Sequence, residues 1–163
     1  MIDKDKITSM VFFGPPGVGK STVASIIAKK TKSEYIKLNA VLSNVSEIRE
    51  AIKKAEKNLA NSKKTILFID EIHRFNKSQQ DALLPAVENG TVILIGSTTQ
   101  NPYFYLTNAL LSRIMLFEFR NLEDSDIKEA IIKAVSDKRG LGENDIAIEG
   151  ESEASKQLYS FVS

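Results

Sequence analysis

Two groups of polar residues in this chain could carry out phosphate chemistry, and the first is the glycine-rich run that begins at Gly14. The run satisfies the pattern Gly-x-x-x-x-Gly-Lys-Ser/Thr, whose glycines let backbone N–H groups and a helix N-terminus surround a phosphate chain. Lys20 would bring its charge to the β- and γ-phosphates, and Ser21 would offer a hydroxyl to Mg²⁺. The predicted nucleotide-binding residues are Gly14, Pro15, Pro16, Gly17, Val18, Gly19, Lys20, Ser21 and Thr22.

The second group is an acidic pair, Asp70 and Glu71, directly after the apolar run Ile66–Ile69. A carboxylate at the end of a buried strand can hold the hydration shell of Mg²⁺, and we assign this role to Asp70. Glu71 can orient and polarise an attacking water, which indicates a hydrolase rather than a small-molecule kinase. An ordinary acidic turn would look the same in isolation, but the phosphate-binding pattern favours the catalytic interpretation.

Hydroxyl groups and one arginine are further candidates. Ser97, Thr98 and Thr99 follow the apolar run Val92–Ile95, so one hydroxyl could reach the γ-phosphate or the water. Threonines that only terminate a strand are the alternative. Arg113 could act as an arginine finger on the nucleotide of a neighbouring subunit, although such an arginine is more often a surface or salt-bridge residue. His73 lies just beyond Glu71, and we expect a structural or coupling role for it rather than catalysis.

Short apolar runs alternate with helical patterns along the chain, and they would position these residues. Unbroken runs rich in Val, Ile and Phe are typical of strands buried on both faces of a parallel sheet. The predicted strands are Met10–Phe13, Tyr35–Leu38, Ile66–Ile69, Val92–Ile95 and Met115–Phe119. The alternation predicts an α/β fold, a doubly wound and mostly parallel five-stranded sheet flanked by helices. Ligands of such sheets bind beyond the carboxyl ends of the strands, where every polar group named above falls.

Helix boundaries can also be predicted from local residue types. Ser78 is expected to cap a helix that Asn89 and Gly90 end. A further apolar stripe over 127–135 follows the capping run Glu123–Asp126.

Composition limits the functional classes. The 163 residues include 42% hydrophobic and 26% charged residues, as in a soluble globular protein. The sequence has no cysteine, which excludes disulfides and thiolate metal sites and makes a cytoplasmic location the default. No apolar run approaches the length of a membrane span, so we expect no membrane association. The net charge is only +1, so any contact with DNA would be local or would lie outside this segment.

The residues around the acidic pair resemble a known family. The run Asp70–Asp81 closely resembles the Walker B region of bacterial RarA (MgsA) proteins, which are replication-associated recombination ATPases of the AAA+ superfamily related to clamp loaders. The resemblance covers roughly residues 8 to 135, and the phosphate-binding loop alone would indicate only a P-loop NTPase. Other matching segments are Leu38–Val41, Ile48–Glu50, Thr98–Pro102 and Ala109–Arg113.

The resemblance implies a Mg²⁺-dependent ATPase with ATP as its nucleotide. Thr99 matches the sensor 1 position of the family, with Thr98 as the fallback, and Arg113 matches its trans-acting finger. Members of the family form homo-oligomers, act at stalled or damaged replication forks, engage DNA ends or gaps and associate with single-strand DNA-binding protein. A cytoplasmic, nucleoid-associated location would follow.

The sequence also departs from the family pattern. Members carry a segment before the first strand that helps hold adenine, and here that strand is expected to begin near Thr8. They also carry a helical lid with a sensor 2 arginine and a C-terminal oligomerisation region, whereas this chain stops at Ser163. We therefore expect a fragment or a shortened gene product, with the nucleotide-binding core at 1–120 and the start of a truncated helical lid at 121–163. The missing segments would affect three properties: the affinity for adenine, the position of the arginine finger and the assembly of subunits.

Three alternatives remain open. A Holliday-junction branch-migration motor would carry a β-hairpin between the Walker B and sensor 1 strands, and the span Ile72–Gly90 has room for one helix and little more. A clamp-loader subunit typically reads Ser-Arg-Cys at the finger, where this chain has Ser112, Arg113 and Ile114. The third is a nucleotide-sensing subunit that binds ATP with little turnover. The shortened chain favours it, and the intact Glu71 and Thr99 count against it.

Overall fold

A computed structural model describes residues 7–129 of the chain. The chain divides into two compact units, Met1–Arg120 and Asn121–Ser163. Residues 7–120 of the first unit and 121–129 of the second are therefore described separately.

The first unit alternates strands and helices in the predicted order. Its strands are β1 (Met10–Phe13), β2 (Glu34–Asn39), β3 (Thr65–Asp70), β4 (Ile93–Thr98) and β5 (Met115–Glu118). Its helices are α1 (Lys20–Lys30), α2 (Val45–Ala60), α3 (Lys77–Glu88), α4 (Pro102–Tyr105) and α5 (Asn108–Leu111). A single 3-10 turn, Ile72–Arg74, follows β3.

The five strands form one sheet in the order β2-β3-β4-β1-β5, and every neighbouring pair is parallel. The predicted sheet is confirmed, and it is wholly rather than mostly parallel. Because parallel strands end at the same edge, Asp70 at the end of β3 and Thr98 at the end of β4 reach the edge where Gly14 leaves β1.

Alternate residues of the strands pack on opposite faces, so the sheet is doubly wound. On one face, α1 covers a cluster that includes Met10, Phe12, Ala24, Ile27, Ile66, Phe68 and Ile95. On the other face, α2, α3 and α5 cover a larger cluster that includes Val11, Ile48, Ala51, Leu67, Ile69, Leu83, Leu94 and Leu110. Central strands buried on both faces explain the unbroken apolar runs of the sequence.

The start of α3 differs from the prediction that Ser78 caps it, and that prediction is wrong. Asn76 is the N-cap, because its backbone is extended and its side chain accepts a hydrogen bond from the Gln79 backbone N–H. The Gln79 side chain in turn accepts from the Asn76 backbone N–H, which completes a capping box. The predicted end is confirmed, since Asn89 caps the C-terminus and Gly90 follows with a φ of 75°.

In the second unit, residues 124–129 are helical. The Asp126 side chain accepts a hydrogen bond from the Glu123 backbone N–H at 3.0 Å, so the predicted capping run does begin a helix. The rest of the predicted stripe, 130–135, lies outside the described residues, and the assignment of a lid stays a prediction. No helix within 7–129 has the length and apolar character that crossing a membrane requires.

Candidate nucleotide-binding site

The glycine-rich loop connects β1 to α1, and its glycines are required by its shape. Gly14 has a φ of 141°, and a Cβ there would collide with the carbonyl oxygen of Phe119. Gly19 caps α1 in the left-handed region with a φ of 90°. The loop therefore ends at an open helix N-terminus, which carries partial positive charge and unpaired N–H groups.

Lys20 folds back over the loop. Its Nζ donates hydrogen bonds to the carbonyl oxygens of Gly14 at 2.8 Å and Pro15 at 2.5 Å. Burial lowers the pKa of Lys20, while the nearby carboxylates of Glu71 and Asp70 oppose that shift. The ammonium group is held where a phosphate chain in the loop would meet it.

Asp70 is oriented by two residues to which the sequence analysis gave no such role. The Ser97 hydroxyl donates to Asp70 Oδ1 at 2.6 Å, and Lys37 Nζ lies 3.6 Å from Oδ2. Register explains both contacts, because Ile69 pairs with Gly96 and Asn39 pairs with Asp70 on the flanking strands. Strand order, which the sequence did not specify, was the missing information.

Glu71 sits in the left-handed region, with φ 55° and ψ 47°. This conformation costs a non-glycine residue about 1 kcal/mol and is often found at functional sites. It turns the chain from β3 into the 3-10 turn and leaves the Glu71 side chain at the carboxyl edge of the sheet.

The predicted residues come together in one cleft of about 320 Å³ at this edge. Its lining residues are Pro16, Gly17, Gly19, Lys20, Ser21, Thr22, Asp70, Glu71, Ser97 and Thr99. The glycine-rich loop, the acidic pair and the sensor candidate thus line the same cleft. The remaining predicted binding residues, Gly14, Pro15 and Val18, belong to the loop but are not among the residues that line the cleft.

The two sensor candidates have different surroundings. Thr98 is buried, its hydroxyl contacts His73 Nδ1 at 2.9 Å, and it accepts a hydrogen bond from the Gln100 backbone N–H. Thr99 is exposed and lines the cleft. The geometry favours Thr99, which stays a prediction.

Arg113 is not among the cleft residues of the described chain. Its Nη2 contacts Glu88 Oε1 at 2.5 Å, and its Nη1 donates to the Ala109 carbonyl and the Ser112 hydroxyl, both at 2.7 Å. The guanidinium is half exposed at the end of α5. A role in the site of another subunit stays a prediction.

The run Asp70–Asp81 that carried the family resemblance also contributes structural contacts that sequence reasoning missed. Gln79 Nε2 donates to the Ser43 carbonyl at 2.7 Å and so fixes the loop between β2 and α2. The buried Gln80 side chain donates to the Tyr105 carbonyl at 3.0 Å and accepts from the Thr107 backbone N–H at 2.8 Å. These contacts attach the segment between β4 and β5 to the start of α3.

The donor set suits Mg²⁺ bound together with phosphates. Within 7–129, no group of three or more His, Cys, Asp or Glu side chains could enclose a metal ion. Mg²⁺ is usually held by one or two protein oxygens with water and substrate phosphates, rather than by a complete protein cage. The Asp70 carboxylate and the Ser21 hydroxyl provide such oxygens in the cleft.

Residues 10–122 match the family described as "ATPase family associated with various cellular activities (AAA)". The chain belongs to the AAA family. The sheet with its flanking helices is therefore the AAA fold.

The resemblance of this AAA domain to RarA proteins is confirmed. It is 52% identical to Replication-associated recombination protein A of Haemophilus influenzae over 149 residues, which cover 91% of this chain and 33% of that protein. It is 47% identical to the protein of the same name from Escherichia coli K12, covering 93% of this chain and 34% of that protein. The chain spans about a third of the length of these relatives.

Solved structures show the same fold. The AAA domain superposes on the Thermotoga maritima RuvB Holliday junction branch migration motor with a TM-score of 0.69 and 28% identity. The match covers 83% of this chain and 45% of that chain.

Proposed function

We propose that this AAA domain binds ATP with Mg²⁺ in the cleft and hydrolyses it, within a protein that acts on DNA in replication-associated recombination. One observation carries the proposal. Lys20 and Ser21 of the phosphate-binding loop face Asp70, Glu71 and Thr99 across a single cleft.

The loop and the α1 N-terminus would hold the phosphate chain through backbone N–H groups. Lys20 Nζ would exchange the Gly14 and Pro15 carbonyls for β- and γ-phosphate oxygens, because a phosphate oxygen is the stronger acceptor for an ammonium group. Ser21 and Asp70 would hold Mg²⁺, which neutralises charge that develops on the β- and γ-phosphates. Ser97 and Lys37 keep the Asp70 carboxylate oriented for this.

Glu71 would orient the attacking water and accept its proton, since Glu71 is among the cleft residues together with Asp70. Thr99 would contact the water or the γ-phosphate with its hydroxyl. The position of Glu71 next to Asp70 supports hydrolysis of ATP rather than transfer of its phosphoryl group to a small molecule.

The proposed DNA substrates, partners, assembly and location are based on similarity to the relatives. The identity of 47–52% to Replication-associated recombination protein A supports a role in replication-associated recombination. The proposal includes DNA forks, ends or gaps as the substrates. The proposal includes assembly into a homo-oligomer, in which Arg113 reaches a neighbour's nucleotide. It also includes association with single-strand DNA-binding protein and a cytoplasmic location at the nucleoid.

The structural similarity to RuvB favours a second candidate, a branch-migration motor. The β-hairpin expected of such motors between the Walker B and sensor 1 strands has no counterpart here. Residues 71–92, all of them described, contain only the 3-10 turn and α3 between β3 and β4. The RarA-type function is therefore the better supported.

The test is to measure ATP binding and steady-state hydrolysis with Mg²⁺, alone, with forked DNA and with a four-way junction. We expect binding, and hydrolysis that forked DNA increases. A specific rate that rises with protein concentration would indicate assembly and a site completed by Arg113. Tight binding without turnover under all conditions would instead identify a nucleotide-sensing subunit, and stimulation by the four-way junction alone would favour the branch-migration motor.

A further inference from the structure

His73 is the only histidine in the sequence, and the proposed mechanism does not use it. It lies in the 3-10 turn two residues beyond Glu71, and its side chain is 13% exposed. Its Nδ1 faces two oxygens, the Thr98 hydroxyl at 2.9 Å and Glu71 Oε2 at 3.1 Å. An imidazole ring therefore lies between Glu71, the residue assigned to activate water, and Thr98 at the end of β4.

These neighbours determine which ring nitrogen carries the hydrogen. A carboxylate oxygen can only accept, so a bare Nδ1 lone pair at 3.1 Å from Glu71 Oε2 would be repelled. The Thr98 hydroxyl can donate its own hydrogen to the Gln100 carbonyl at 3.4 Å while accepting from the Gln100 backbone N–H. The Thr98 hydroxyl is thus fully satisfied when His73 Nδ1 is the donor and the hydroxyl accepts.

The same contact distinguishes the two oxygens of Glu71. Oε2 is buried, and within the described chain no donor makes a hydrogen bond of good geometry to it, because the Nδ1–H points at Thr98. The Glu71 side chain as a whole is 37% exposed and lines the cleft. The carboxylate therefore turns Oε2 towards the imidazole and leaves Oε1 as the oxygen available to the cleft.

The imidazole itself is held by its surroundings. The adjacent Ile72 is fully buried and packs so closely on Gly96 that a Cβ there would lie 3.0 Å from the Ile72 side chain. The His73 ring meets the Tyr105 ring edge-on, with centroids 5.5 Å apart, and the Tyr105 carbonyl is bound by Gln80. A ring fixed in this way can fix the groups it contacts.

We propose that His73 is a positioning residue for Glu71. Its Nδ1 donates to the Thr98 hydroxyl and lies 3.1 Å from Glu71 Oε2, so the N–H dipole attracts that oxygen and leaves Oε1 aimed at the attacking water. The role rests on the proposed ATPase function, in which Glu71 acts on that water. His73 makes no contact with substrate in this role. A histidine that only fills space beside Tyr105 would instead affect folding and leave the catalytic rate of folded protein unchanged.

The first test compares three replacements of His73 by steady-state ATP hydrolysis and by nucleotide affinity. The Asn side-chain amide can place an N–H where Nδ1 lies, whereas the longer Gln amide reaches the Nε2 position. We expect His73→Ala to lower kcat about tenfold or more, with KM for ATP changed by less than about twofold. His73→Asn should restore most of the rate and His73→Gln little of it. The proposal is overturned if all three variants retain the wild-type kcat, or if His73→Gln restores kcat as well as His73→Asn does. It is also overturned if the loss of kcat is fully explained by a smaller fraction of folded protein.

The second test does not need turnover, so it separates this proposal from the proposed function. With a single histidine, ¹⁵N labelling of histidine gives one imidazole spectrum, which identifies the protonated nitrogen directly. We expect a hydrogen on Nδ1, and ring signals that shift in Glu71→Gln and in Thr98→Val. The exposed Glu50 on α2 offers a matched control, and Glu50→Gln should leave the signals unchanged. Two results would overturn the proposal even if wild-type protein hydrolyses ATP. One is a neutral ring with its hydrogen on Nε2 alone, and the other is a set of ring signals that change in neither Glu71→Gln nor Thr98→Val.

Discussion

The Ser97 hydroxyl donates a hydrogen bond of 2.6 Å to Asp70 Oδ1, and so joins the ends of the two adjacent strands β4 and β3. Short hydrogen bonds to a charged acceptor are among the stronger ones in proteins. The bond restricts the rotation of the carboxylate that we assign to Mg²⁺. The effect of Ser97 on metal use can therefore be tested separately from its effect on nucleotide binding.

Ser97→Ala should lower the apparent affinity of the site for Mg²⁺. Without its hydrogen bond, Asp70 is free to rotate towards Lys37, and the Mg²⁺ concentration for half-maximal ATP hydrolysis should rise roughly tenfold. A Mg²⁺ titration at fixed ATP measures this. Ser78→Ala, an exposed position in the first turn of α3, is the matched control. A titration curve for Ser97→Ala that coincides with that of Ser78→Ala would show that the hydrogen bond has no such role.

Lys20→Ala should abolish nucleotide binding. It would remove the charged group that we propose contacts the β- and γ-phosphates, so affinity should fall by at least about a hundredfold. A fluorescent ATP analogue titrated against the protein measures the loss. Lys29→Ala changes an exposed lysine in the last turn of the same helix and should bind as wild type does. Comparable affinity in the two variants would contradict the placement of the phosphate chain in this loop.

Glu71→Gln should separate binding from hydrolysis. The amide keeps the size of the side chain but cannot accept the proton of water, so kcat should fall about a hundredfold or more while ATP affinity is retained. Single-turnover hydrolysis measures the chemical step, and Glu50→Gln is the control. If Glu71→Gln hydrolysed ATP at the normal rate, the assignment of Glu71 to the attacking water would be wrong.

Arg113→Ala and Glu88→Gln together distinguish a finger from a surface ion pair. Both changes break the same half-exposed contact, which contributes about 0–1 kcal/mol to stability. If Arg113 acts on a neighbour's nucleotide, only Arg113→Ala should lower turnover, about a hundredfold or more, and only in assembled protein. ATP hydrolysis measured across protein concentrations tests this. Equal turnover in the two variants would mean that Arg113 serves only its own subunit.

Gln80→Leu should destabilise the domain. The substitution leaves the Tyr105 carbonyl and the Thr107 backbone N–H without their partner, at a cost of roughly 2–4 kcal/mol. Urea denaturation measures the free energy of unfolding. Asp81→Asn, the exposed next position, should change it little. A stability equal to that of Asp81→Asn would show that Gln80 is not needed to attach this segment to α3.

The sequence predicted strands best where an unbroken apolar run corresponds to a strand that is buried in the sheet. The runs beginning at Met10 and Ile66 are unbroken apolar stretches, and they are strands because both faces of a parallel sheet are covered. The cap of α3 shows the limit of local reasoning. Ser78 and Asn76 are both good N-cap residues, and the reciprocal bond between Asn76 and Gln79 selects Asn76.

The sequence by itself determined the glycine-rich loop, the acidic pair and the α/β class, because each depends on residues adjacent in the chain or on a short period. Tertiary structure alone decided that β4 lies between β3 and β1, and this order brings Ser97 to Asp70 and Thr98 to His73. It also decided that Thr99 rather than Thr98 lines the cleft. Strand order and register depend on how the helices cover both faces of the whole sheet, and no local pattern carries that information.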